Sequence, residues 1–177
     1  MIFKATALAG VFVLAPERHE DERGFFARTW DPDELRAHGL DPTIAQASVS
    51  FNHRRGTLRG LHYQSAPFEE AKLVRVTRGA VFDVVVDARP GSPTRGRHVA
   101  VTLTAAEGNQ IYIPAGCAHG FQTLADATEV SYLISARYSP EHARGFRFDD
   151  PALAIPWPEP VTVISARDRA LPPFPVE

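Results

Sequence analysis

A mainly β chain, folded as an antiparallel sandwich or barrel with few helices, is what three features of the sequence predict. Short apolar runs of strand length recur through the middle of the chain, turn residues separate them at close intervals, and helical periodicity is almost absent. At 177 residues the chain is long enough for a single domain over 1–177 with a sizeable core. Hydrophobic residues at 44% and charged residues at 23% are ordinary for a soluble globular protein, which excludes a disordered chain or a helical membrane protein.

The elements follow in order. Val11-Phe12-Val13-Leu14 reads as a strand. The stretch from Lys4 through Ala15 has the charged and apolar sequence of a signal peptide, but Thr6 and Gly10 interrupt it and no small-residue cleavage site precedes Pro16, so a cytoplasmic protein is expected. The best helix begins after Asp31 as Pro32-Asp33-Glu34-Leu35-Arg36-Ala37-His38, with Asp31 as N-cap, proline in the first turn and Gly39 as the stop. Strands are then expected over 73–76, 81–86, 99–103, 111–113, 121–124 and 130–134. Their separators include Arg78-Gly79, Pro90-Gly91-Ser92-Pro93 and Glu107-Gly108-Asn109. Prolines at 151, 156, 158 and 160 break regular structure, so a tail over about 150–177 is expected to wrap the barrel.

Lys+Arg 19 against Asp+Glu 21 gives a formal charge of -2, which offers no broad basic field for nucleic acid. No membrane partner is expected either. A bound anion must be met by locally gathered arginines. Lone Cys117 excludes an internal disulfide or a cysteine zinc cluster and is expected to pack beside a turn.

Two histidines carry the chemistry. His62 stands in Arg59-Gly60-Leu61-His62-Tyr63-Gln64 and His119 in Pro114-Ala115-Gly116-Cys117-Ala118-His119-Gly120-Phe121, each beside strand-like sequence. Aimed into one barrel, the pair would suit proton transfer or metal binding, because imidazole titrates near neutrality. Gly108, Pro114, Gly116 and His119 follow the second motif of the cupin superfamily, which implies a jelly-roll barrel. A metal-binding cupin presents His-x-His in its first motif, and Gln64 stands where the second histidine belongs. Glutamine is a poor replacement for imidazole as a ligand, so no metal and no cofactor are expected. Asp83, flanked by valines, is expected either to pair with Lys72 or His62 or to sit at a bulge; pairing is favoured because an unpaired buried carboxylate is costly.

Further segments include Asp21-Glu22-Arg23-Gly24-Phe25-Phe26, Gly56-Thr57-Leu58-Arg59-Gly60-Leu61-His62, Lys72-Leu73-Val74-Arg75, Ala118-His119-Gly120-Phe121 and Ile155-Pro156-Trp157-Pro158. With these, nearly the whole chain closely resembles the metal-free dTDP-4-dehydrorhamnose 3,5-epimerases. The resemblance implies inversion at C3 and C5, or at C3 alone, of a nucleotide-linked 4-keto-6-deoxyhexose. It implies His62 as base with Asp168 as its partner, Tyr132 as acid, and Lys72 with His119 at the enolate oxygen. It further implies Arg23 and Arg59 at the diphosphate, with Arg167 beside Asp168 as a further substrate contact. Phe26 is implied under the base, Gln46 and Ser48 on the nucleotide-facing strand, Tyr138 near the phosphates and Trp157 at the mouth. Arg54 and Arg55 read as a solvated turn instead. Arg28, Ser48 and Arg144 depart from the residues usual in that family around the nucleotide pocket. The resemblance also implies a homodimer that exchanges N-terminal strands, with Arg23 and Phe26 completing the neighbour's site. Two alternatives are a metal-dependent cupin isomerase or dioxygenase and a catalytically silent sugar-nucleotide binder.

Overall fold

A computed structural model describes residues 1–175. Its strands are β1 (Ile2–Ala5), β2 (Phe12–Ala15), β3 (His19–Asp21), β4 (Gly24–Phe26), β5 (Gln46–Asn52), β6 (Leu58–Gln64), β7 (Lys72–Arg78), β8 (Ala80–Asp87), β9 (His98–Thr104), β10 (Gln110–Ile113), β11 (Cys117–Thr123), β12 (Thr128–Ile134) and β13 (Ala143–Gly145); the helices are α1 (Pro32–Ala37) and α2 (Ala166–Arg169). Every named strand pairing is antiparallel. A six-stranded sheet in the order β1-β2-β10-β7-β12-β5 faces a five-stranded sheet in the order β13-β6-β11-β8-β9, with β3 and β4 forming a separate hairpin. This is the mainly β sandwich expected from the strand spacing.

Three hydrophobic clusters hold the layers. Between the sheets pack Val74, Val76 and Val130 from one side and Val81, Val85 and Phe121 from the other. The outer face of the five-stranded sheet presents Leu61, Val84, Val86 and Ala118, which Phe146, Leu153 and Phe174 cover. Because β8 is buried on both faces, its sequence is a nearly unbroken valine run rather than an alternation. The outer face of the six-stranded sheet carries Leu14, Leu73 and Tyr112, and α1 lays Leu35 against it. That helix is short because it has little more than a cap and an anchor. Asp31 accepts from the backbone of Asp33 and Glu34, Pro32 opens the first turn, and His38 ends it. The 150–175 segment is tied to the sandwich through an isolated bridge from Val163 to Thr57 and through Asp150, which accepts from the Phe174 backbone at 2.6 Å.

One close approach positions the site. Gly60 has φ +117, and a Cβ there would lie 2.5 Å from Gly120 Cα and 2.7 Å from the His119 carbonyl oxygen. Only glycine lets β6 and β11 come this near. The result is that His119 and His62 become direct cross-strand partners.

Candidate active site

A cavity of about 670 Å³ opens between the sheets, walled by β5 and β12 on one side and by β6 and β11 on the other. Residues on one face of a strand alternate, so His62, His119 and Phe121 look inward together, across from Ser48, Ser50 and Tyr132.

His62 is half-buried, and its Nε2 lies 2.8 Å from Asp168 Oδ1. The second carboxylate oxygen accepts from the Gly60 backbone N–H at 3.1 Å. Asp168 belongs to α2, whose cap Ser165 accepts from the Asp168 backbone at 3.0 Å, so the short helix exists to fix this side chain. Burial pushes the Asp168 carboxyl up, but the hydrogen bond and charge of His62, with help from Gly60 and Ser165, outweigh it and hold the group below its ordinary value. An ionised carboxylate only accepts, so Nε2 carries the proton and Nδ1 the basic lone pair.

A second imidazole repeats the arrangement. His119 Nε2 lies 2.8 Å from Asp83 Oδ2, both groups being buried. Asp83 Oδ1 has no hydrogen-bond partner among the described residues. The expected pairing of Asp83 with Lys72 or His62 is therefore corrected: its partner is His119, set beside it by the β8–β11 register in which Asp83 opposes Phe121.

Lys72 opens β7 and is 8% exposed, so it is an internal cation and not a solvated strand end. Its Nζ lies 2.7 Å from Glu70 Oε1 and donates to the His62 carbonyl at 3.4 Å. Glu70 carries weight here that its sequence did not reveal. The only local signal is its spacing of two from Lys72, which puts both side chains on one side of an extended chain. Tyr132 reaches in from β12, the strand beside Lys72's β7 and in the sheet opposite His62, its hydroxyl 3.3 Å from Ser50 Oγ and its ring edge-on to His119 at 6.2 Å between centroids. Burial pushes the phenol well up, and the Asp83 charge adds to the effect, so it stays protonated.

Three arginines, Arg59, Arg144 and Arg167, line the same cavity. Arg144 is held by the carbonyls of Glu141 and Ala143 at 2.9 and 3.1 Å. Arg59 donates through Nε to Asn52 Oδ1 at 2.7 Å. Gln46 and Ser48 also line the cavity, as does Tyr138, whose backbone N–H donates to Gln46 Oε1 at 2.6 Å.

Not every expected residue reaches this space. Arg23, Phe26 and Arg28 lie on or beside the β3–β4 hairpin, away from the cavity of their own chain. Arg23 pairs with Asp21, Arg28 with Asp31 at 3.1 Å, and Phe26 is 73% exposed. Trp157 is not at the mouth. Its indole N–H donates to the Phe148 carbonyl at 2.8 Å and its ring packs edge-on against Phe82, because the Ile155-Pro156-Trp157-Pro158 turn closes the outer cluster. Arg55, expected in a solvated turn, is exposed but ion-paired with Glu159. Cys117 is buried in the inter-sheet cluster, where burial pushes its thiol up to about 11.

Gln64, in the position where a second histidine would ligate metal, is 2% exposed and turned to the backbone. It donates to the carbonyls of Phe68 and Arg137 and accepts from the Ser139 N–H, pinning two loops at the rim. Among the described residues no group of three His, Cys, Asp or Glu side chains is arranged to hold a metal ion. No helix among them is long and apolar enough to cross a membrane.

Comparison with known proteins fits this geometry. The dTDP-4-dehydrorhamnose 3,5-epimerase family model matches residues 5–175. A dTDP-4-dehydrorhamnose 3,5-epimerase of Sinorhizobium fredii is 44% identical over 173 residues, covering 97% of this chain and 89% of that protein. The crystal structure of the Bacillus anthracis dTDP-4-dehydrorhamnose 3,5-epimerase with TDP and PPi bound superposes with a TM-score of 0.94 at 37% identity, over 97% of this chain and 98% of that one. That of the Legionella pneumophila 3,5-epimerase in complex with dTDP-4-keto-L-rhamnose gives 0.91 at 37% identity, over 98% and 92%. Two carboxylate-backed imidazoles facing a tyrosine and a lysine, and matches that span almost the whole chain, lead to one assignment: the chain belongs to the dTDP-4-dehydrorhamnose 3,5-epimerase family.

Proposed function

We propose that the protein is a cofactor-independent epimerase that inverts C3 and C5 of a dTDP-linked 4-keto-6-deoxyhexose, with dTDP-4-dehydro-6-deoxyglucose as substrate. The observation that carries this reading is the placement of His62, backed by Asp168, opposite Tyr132 across one cavity. The C4 carbonyl acidifies the hydrogens on C3 and C5. His62 Nδ1 takes one of them; the C–H electron pair becomes the enolate double bond, and the carbonyl π pair moves onto oxygen. Lys72 supplies N–H donors for that oxygen, and His119, whose Nε2 is already bound to Asp83, adds one from Nδ1 as the imidazolium that Asp83 stabilises. As the enolate collapses, the Tyr132 hydroxyl delivers a proton to the carbon from the opposite sheet, which inverts the centre. Tyr132 then recovers a proton from solvent, and the His62 imidazolium, stabilised meanwhile by Asp168, releases its own.

The roles of the substrate-binding residues follow from charge and position. Arg59, Arg144 and Arg167 gather positive charge at the cavity for the diphosphate, and Gln46, Ser48 and Tyr138 form the nucleotide end. Of the candidates outside the cavity, Arg23 and Phe26 belong to the site of a partner chain in a homodimer that exchanges N-terminal strands; their exposure on a separate hairpin supports this. One domain over 1–177 and a cytoplasmic setting complete the reading. Metal chemistry has less support, since Gln64 is committed to three backbone groups and Glu70 to Lys72.

The experiment is incubation with dTDP-4-dehydro-6-deoxyglucose in heavy water, following deuterium at C3 and C5 by NMR. Incorporation at both positions is expected, incorporation at C3 alone would define a single epimerase, and none at either would refute the enzyme assignment. His62→Ala should abolish exchange with folding intact. Tyr132→Phe should retain exchange on the His62 face while slowing inversion by about 10²–10⁴.

A further inference from the structure

Arg59 is held at the cavity wall by a neutral side chain. Arg23, Arg36, Arg55, Arg89 and Arg147 each face a carboxylate, which offsets their charge. Arg59 faces none among the described residues and is held instead by the neutral Asn52 amide. Asn52 ends β5 and is 2% exposed. Its Oδ1 accepts from Arg59 Nε at 2.7 Å, while its Nδ2 donates to the carbonyls of Thr128 at 3.2 Å and Ser50 at 3.5 Å. These partners fix the amide's orientation: turned over, it would set a donor against a guanidinium and an oxygen against two carbonyls. Arg59 lies on β6 in the other sheet, so the contact spans the β5–β6 connection at the cavity wall.

We propose that Asn52 is a positioning residue that aims Arg59 at the substrate diphosphate without discharging it. With Nε–H taken by Asn52, only the terminal Nη groups remain for an incoming ligand. They present their paired donors to an anion in a fixed direction, which suits two oxygens of a phosphate. An aspartate at 52 would hold the same nitrogen at least as strongly. It would also cancel the charge that the diphosphate is to meet, and would turn an oxygen toward the Thr128 carbonyl. Asparagine gives the orientation and leaves the full positive charge for the ligand.

This inference rests on the reading of Arg59 as a diphosphate ligand, and the test separates the two. Binding of inorganic pyrophosphate and of TDP is measured calorimetrically for the wild type, Asn52→Ala, Asn52→Asp, Arg59→Ala and the Asn52→Ala/Arg59→Ala double variant, with thermal unfolding as the check on folding. Asn52→Ala should weaken both ligands by about 5- to 30-fold. It should raise KM by a similar factor with kcat within about twofold, because the lost contact serves ground and transition state alike. Asn52→Asp, which keeps the acceptor and the shape, should also weaken pyrophosphate. In the Arg59→Ala background the Asn52 change should add less than about twofold, the signature of two residues acting through one contact. Unchanged pyrophosphate affinity in a folded Asn52→Ala, beside a loss in Arg59→Ala, would overturn the Asn52 role and leave the Arg59 reading standing. Wild-type affinity in Asn52→Asp would overturn the argument from neutrality. Unchanged affinity in Arg59→Ala would overturn the diphosphate reading itself.

Discussion

His62 and Asp168 are separated by 106 positions, and the hydrogen bond between them makes both the base and the stability of its surroundings depend on one carboxylate. Asp168→Asn keeps the shape but offers Nε2 an amide that can present its donor, favouring the wrong tautomer. The rate of C3 and C5 exchange should fall by about 10² to 10⁴, a loss read from the same heavy-water experiment. The same substitution has a signature in acid. Asp168 is held below its ordinary value of 3.8, so its contribution to folding is complete above about pH 4 and is lost as pH falls through the depressed value. Melting temperature against pH should therefore drop less steeply on the acid side in Asp168→Asn than in the wild type, and equal slopes would show that the pair adds nothing to stability. The histidines were legible in the sequence because each sits in a motif that carries its own turn and strand. The partner of Asp83 was not. Nothing local to Val81-Phe82-Asp83-Val84 says that β8 lies beside β11 in the register that brings His119 within reach.

At the scale of elements, the strands that were easiest to read are those whose apolar residues face a core. β7, β8 and β12 contribute to the inter-sheet cluster and were expected within two residues of their observed bounds, whereas β11, expected over 121–124, begins at Cys117 and takes in His119. β5 was harder. Along Gln46-Ala47-Ser48-Val49-Ser50-Phe51-Asn52 the residues that look inward, Gln46, Ser48 and Ser50, are polar because inward means the cavity. Val49 and Phe51, the residues a pattern search would bury, are 62% and 40% exposed on this single chain. A strand that lines a binding site inverts the alternation by which half-buried strands are recognised. The four-residue α2 is similarly illegible, because it is held by Ser165 and by the use of Asp168 and not by an apolar stripe. The contact between β6 and β11 makes its own prediction. In Gly60→Ala the added methyl would meet backbone atoms at 2.5 and 2.7 Å, and the positive φ would be strained as well. Backbone cannot yield as a side chain can, so a loss of roughly 2–4 kcal/mol in unfolding free energy is expected by urea denaturation. Exchange activity should fall even where the variant stays folded, because the His62–His119 register depends on that approach.

For the whole molecule the question is where the β3–β4 hairpin acts. Phe25 and Phe26 are 54% and 73% exposed, and Arg18 lies 4.4 Å over the Phe25 ring, so the hairpin holds a large apolar surface outside every cluster of its own chain. Exposed aromatic surface of this kind marks an interaction site. In the proposed homodimer the hairpin of one protomer completes the cavity of the other, and subunit mixing can detect this directly. One protomer carries His62→Ala, with an inert base and an intact hairpin. The other carries Arg23→Ala and Phe26→Ala, with an intact base and a defective hairpin. If the hairpin works in trans, each mixed dimer contains one site with a wild-type base and a wild-type hairpin, and one site with both defects. Statistical mixing at equal amounts makes half of the dimers hybrid, so at low substrate the mixture should recover about a quarter of wild-type activity per protomer from two nearly inactive parents. A hairpin that works in cis gives no complete site in any combination, and mixing then yields only the average of the parents. Refolding the two variants together, with each refolded alone as the control, distinguishes these outcomes through activity alone.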